Sequence, residues 1–115
     1  MIRGELERVL GDIASALAGE GTRAERESAG TAVTWSRSGV PFTVLGETGV
    51  EFRLDPKVAA AAARTPDAAP SERGREWVRF NPRALDSHAV DRLDAWFGLA
   101  ARRAADARPV DARRE

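Results

Sequence analysis

Cysteine is absent from the 115 residues, which removes disulfides, thiolate zinc sites and cysteine nucleophiles together. Histidine occurs once, as His88, close to Asp86 and Asp91. A metal or general-base role needs further ligands or an oriented nucleophile, and none accompanies it, so His88 is expected to be a partly exposed residue near a helix cap. No apolar run approaches the length of about 20 residues needed to cross a bilayer. The amino terminus, with Arg3, Glu5, Glu7 and Arg8, lacks a signal-peptide core, so a cytoplasmic location without a membrane partner is expected. An excess of one charge is missing as well: 18 lysines and arginines balance 18 acids, so no long-range field draws the whole chain toward nucleic acid or anionic lipid. Seventeen of the 18 basic residues are arginine, which beside abundant alanine reads as compositional bias before phosphate recognition. The glycines form neither a G-x-G-x-x-G nor a Walker A pattern, and Ser36, Ser38 and Ser71 lack an elbow motif. Glu47 and Glu51 make no acid-base pair, one falling in a loop and the other on the wet face of a strand. The expectation is a protein without catalysis, metal or cofactor.

What is present is enough apolar material for one modest core: 43% hydrophobic residues and three tryptophans. The length suits a single domain, placed at residues 1–105, with 106–115 aperiodic and expected to be a disordered tail. Ile2, Leu6, Val9, Leu10, Ile13 and Leu17 recur at helical spacing, and Gly19 to Gly21 supply the stop. The polar stretch 22–30 reads as a loop or a frayed strand start. Val33 and Trp35 alternate with Ala32, Thr34 and Ser36, and Ser38-Gly39 turns the chain. Val40, Phe42 and Val44 then alternate with Pro41, Thr43 and Leu45, with Pro41 placing this strand at an edge or marking a bulge. After the Gly46 to Gly49 loop, Val50, Phe52 and Leu54 alternate with Glu51 and Arg53, the pattern of an antiparallel strand with one dry face.

Asp55-Pro56 caps and starts a short helix over 57–64, carried by five successive alanines. Residues 65–75 read as a polar loop. Glu76, Val78 and Phe80 alternate with Trp77 and Arg79 in a last strand, stopped at Asn81-Pro82. Asp86 and Ser87 then cap a helix of about 18 residues whose stripe is Val90, Leu93, Trp96, Phe97, Ala100 and Ala104. The sum is an α+β domain of order α-β-β-β-α-β-α, a four-stranded antiparallel sheet with helices mainly on one face.

Along Pro41 to Pro56 and Gly74 to Arg103 the chain resembles the amino-terminal domain of the TfoX/Sxy family. The resemblance rests on Val44-Leu45-Gly46 before an alternating strand and a proline-started helix, on Trp77-Val78-Arg79-Phe80-Asn81-Pro82, and on the helix with Leu93, Trp96 and Ala100. It covers about two thirds of the chain. The YjbR/MmcQ-like proteins share the same order of elements and the proline-started helix. The first resemblance implies a small regulatory or interaction protein, its members being associated with control of natural competence genes, and it brings no catalytic residue to any position here.

One surface stands out. With Val50, Phe52, Leu54, Val78 and Phe80 facing inward, Arg53, Trp77 and Arg79 face outward, with Arg73 and Arg75 on the adjoining loop. A tryptophan among arginines suits a protein partner or a second copy, since these residues concentrate binding energy. The alternative is nucleic acid, a base stacking on the indole. Against both stands Trp77 covered by the 65–75 loop.

Overall fold

The computed structural model describes residues 2–106; of the expected tail, Asp106 belongs to the last helix and 107–115 lie outside the described residues. Helix α1 (Ile2–Gly19) leads into strands β1 (Glu25–Ala29), β2 (Ala32–Arg37), β3 (Val40–Gly46) and β4 (Gly49–Arg53). Helix α2 (Pro56–Ala62), strands β5 (Ala68–Pro70) and β6 (Trp77–Phe80), and helix α3 (Ser87–Asp106) follow. All strand pairings are antiparallel, in the order β1-β2-β3-β4-β6-β5. The architecture is α+β, but the sheet has six strands where the residue pattern predicts four.

Both additional strands are edges, and both escape a side-chain pattern for that reason. Every side chain of β1 is exposed, so no alternation marks it. Main-chain pairing with β2 across a two-residue turn holds it, with Gly30 at φ 61°. Strand β5 spans three residues inside the expected polar loop, paired through Ala68 opposite Phe80 and Pro70 opposite Val78. Pro70 sits where an edge tolerates a residue without an N–H.

Pro41 does not mark an edge, because β3 lies inside the sheet between β2 and β4. It marks the other option, a bulge. Trp35 pairs with Thr43 and Ser36 with Pro41, so Phe42 is an extra residue on β3 and the phase of alternation slips there. Phe42 consequently joins Leu45 and Thr43 on the dry side, while Val44 falls on the opposite face between Thr34 and Glu51.

Local chemistry explains the boundaries. The N–H of Thr22 bonds the carbonyl of Leu17, and that of Gly21 the carbonyl of Ala18, closing α1 as a Schellman motif with Gly21 at φ 98°. Asp55 Oδ1 accepts from the Lys57 N–H at 2.9 Å with Pro56 starting α2, and Asp86 Oδ1 accepts from the Ala89 N–H at 2.9 Å to start α3. Between β3 and β4 the turn is tight, and Gly49 has φ 121°. A Cβ there would lie 2.6 Å from the Phe80 carbonyl oxygen, so the approach of β4 to β6 requires glycine.

The core forms on one face of the sheet. Leu6, Leu10, Ile13 and Leu17 of α1 and Leu93, Trp96, Phe97 and Ala100 of α3 close over Val33, Trp35, Val50, Phe52, Val78 and Phe80. Phe97 meets Trp35 and Phe42 edge-to-face at 5.8 and 5.1 Å, and Trp96 meets Phe52 and Phe80 at 6.1 and 5.2 Å. Ala59 and Ala62 attach α2 to the same cluster near the β5–β6 end. The buried Thr43 hydroxyl has no hydrogen-bond partner.

Candidate functional site

Strand alternation turns Glu51, Arg53, Trp77 and Arg79 to the face away from α1 and α3, with Arg53 opposite Trp77 and Glu51 opposite Arg79. The chain between β5 and β6 then folds back over this face. The Ser71 N–H bonds the Trp77 carbonyl at 3.3 Å and the Trp77 N–H the Gly74 carbonyl at 3.1 Å, so residues 71–77 form a compact loop beside the indole. Trp77 is half-buried, neither stripped bare nor sealed.

Of the five residues expected at a binding surface, Arg53, Arg73, Arg75 and Trp77 border one hollow and Arg79 lies outside it opposite Glu51, and their charges are not equivalent. Arg73 Nε donates to Glu51 Oε1 at 2.7 Å, and Ser71 Oγ donates to the other oxygen of the same carboxylate. The Arg73 guanidinium lies 5.4 Å from the centre of the Trp77 ring. Arg53 Nε donates to Glu76 Oε1 at 2.7 Å, and Arg103, from the last turns of α3, approaches the same oxygen at 3.4 Å. The hydrogen bond from Arg53 is the main cause that holds the Glu76 carboxyl below its ordinary value of 4.5, against the opposing effect of burial and with further help from the charges of Arg53 and Arg103. Arg75 and Arg79 form no salt bridge among the described residues. Two of the five cations and aromatics expected to act together are thus already neutralised by Glu51 and Glu76, the second of which sequence reasoning left out of the site.

Two hollows meet at Trp77. One, of about 580 Å³, lies among Pro41, Arg53, Arg73, Arg75, Glu76 and Trp77. The other, of about 550 Å³, lies between α2 and the loop, and Pro56, Gly74, Arg75 and Trp77 border both. The second was missed because a run of alanines reads only as helix propensity, and Val58, the large apolar side chain of α2, does not line it.

His88 is exposed, as expected of a residue near the α3 cap, and Glu47 stands apart in the β3–β4 turn. Among the described residues no three histidine, aspartate or glutamate side chains converge where an ion could sit, and no helix is long and apolar enough to cross a membrane. No family model, curated protein or solved structure matches the chain.

Proposed function

We propose that this chain is a small non-enzymatic interaction or regulatory module of the cytoplasm, of the kind its resemblance to TfoX amino-terminal domains implies, and that it contacts a protein partner or a second copy through the surface around Trp77. The observation that carries this is the half-buried indole at the meeting of two hollows, held by a loop tied back onto the sheet. A large aromatic in a preformed, partly dry setting suits an anchor of a protein contact. The pairing of Arg53 with Glu76 and of Arg73 with Glu51 supports a protein over nucleic acid, because phosphate contacts draw on unpaired cations and carboxylates in the same patch repel the backbone.

Sedimentation of the purified chain, together with affinity capture by wild type and Trp77→Ser, tests it. A contact centred on Trp77 appears as a dimer or a captured protein that the variant loses and that persists as salt rises. A monomer that captures the same proteins with or without Trp77 removes the proposal. Binding to DNA or RNA pools that falls steeply with salt replaces it with the nucleic-acid alternative.

A further inference from the structure

The hollow between α2 and the 71–77 loop has a composition unlike the rest of the surface. Its walls are the small apolar side chains of Pro56, Ala59, Ala60, Ala63 and Pro70, closed at one end by the Trp77 indole. Its charged lining consists of Lys57, Arg64 and Arg75, with no carboxylate among the lining residues. None of these three cations forms a salt bridge among the described residues, whereas Arg3, Arg26, Arg53, Arg73, Arg83 and Arg103 all do. The acid next to α2 in sequence, Asp55, has one carboxylate oxygen engaged by the Lys57 N–H as a helix cap. Glu76, in the adjoining hollow, is held by Arg53 and Arg103.

An apolar cleft ringed by cations of one sign selects against two kinds of ligand. A neutral apolar molecule leaves three cations partly desolvated without a partner, and a compact polyanion gains nothing from the alanine walls. A volume of about 550 Å³ lies within the range of small-molecule sites, roughly 300 to 1,000 Å³. We infer that this hollow binds a small amphipathic anion, an aryl or acyl body lying against Trp77 and the α2 alanines with an acidic head group among Lys57, Arg64 and Arg75. This site does not depend on a protein partner, although a ligand there covers part of the indole that such a partner contacts.

The probes that test it are anilinonaphthalene sulfonate and its uncharged parent phenylnaphthylamine, titrated into the full chain and followed by probe emission and by energy transfer from tryptophan. Trp35 and Trp96, 1% and 9% exposed, remain as buried donors, so energy transfer that falls in Trp77→Phe more than in a variant of either buried indole locates the probe beside Trp77. The sulfonate should saturate one site and bind about ten-fold or more tightly than the uncharged probe. The double variant Arg64→Glu and Arg75→Glu should erase that advantage while leaving the circular dichroism and melting curve unchanged, both side chains being exposed. Ala60→Trp, on the exposed side of α2, should fill the cleft and remove binding of either probe. Equal affinity for the two probes, or sulfonate binding indifferent to the double charge reversal, overturns the inference.

Discussion

The same three residue types meet twice in this molecule, with different results. At the β1 end, Arg26 lies 5.9 Å from the Trp35 ring and pairs with Glu7 of α1. At the β6 end, Arg73 lies 5.4 Å from the Trp77 ring and pairs with Glu51 of β4. In both, an arginine covers an indole and a glutamate from another element fixes the arginine. Yet Trp35 is sealed and Trp77 is not. The difference is the face of the sheet: Trp35 points toward α3 and meets Phe97, whereas Trp77 points away from α1 and α3, bordered by α2 and the 71–77 loop. An arginine over a tryptophan is thus a lid on a finished core in one place and the edge of an open hollow in the other. Local residue types alone do not separate the two; the layer above them does.

The largest effect should come from removing each indole in turn. Trp35→Ala opens a void among Phe42, Phe97 and the α1 leucines and should cost about 4 kcal/mol. Trp77→Ala removes a half-buried ring that stands outside the core cluster and should cost about 1 kcal/mol. Denaturant midpoints of the two variants measure both. Comparable losses would mean that the β6 end is packed like the β1 end, and that no open surface distinguishes them. Next comes the pairing of β4 with β6, the strand that presents Trp77. Gly49→Ala forces a side chain onto a backbone at φ 121° and onto the Phe80 carbonyl, so a loss of about 3 kcal/mol is expected. Thermal melting reads it, and a loss below about 1 kcal/mol would show that β4 and β6 can separate without harm.

A smaller change should run the other way. Thr43 sits across from Trp35 and Phe52 with its hydroxyl buried and unpartnered. Thr43→Val keeps the branched shape, removes the orphan oxygen and should stabilise the protein by about 1 kcal/mol, read from the same denaturant curves. A destabilised variant would place a hydrogen-bond partner near that oxygen and make the Trp35 side of the sheet less dry than the Trp77 side is wet.

How much of this was legible in the residues follows from which forces leave a pattern in them. The three helices, the tight turn at Ser38-Gly39 and the caps at Asp55 and Asp86 are local events, and spacing or residue type betrays each. The inward set Val50, Phe52, Leu54, Val78 and Phe80 is fully buried as the alternation requires. Strands β1 and β5 are held by main-chain pairing at the sheet margins, and Glu25 to Ala29 carries no side-chain period to read. The bulge at Phe42 breaks the period itself, so simple alternation put Phe42 and Leu45 on opposite faces. At the site, Arg53, Trp77 and Arg79 were placed by counting along strands. Their partners were not, because Glu76 meets Arg103 across 27 residues of sequence and Arg73 meets Glu51 across 22.

The finest test of the contrast uses acid. At the β6 end Glu76 carries a lowered pKa, chiefly because Arg53 bonds its charged form. A carboxyl whose folded pKa lies below its unfolded one binds fewer protons in the native state, so its contribution is complete above the unfolded pKa and is lost as pH falls through the folded one. As pH falls below the ordinary glutamate value of 4.5, stability should therefore decline more steeply in wild type than in Glu76→Gln, which has no charge to lose. The two curves should converge toward the acid end. The side chain of Glu76 is 36% exposed, so solvent screens the pair and the separation between the curves should be small. Urea midpoints at half-unit steps of pH resolve it, and parallel curves would mean that Arg53 and Arg103 merely lie near Glu76 without fastening the start of β6 to α3.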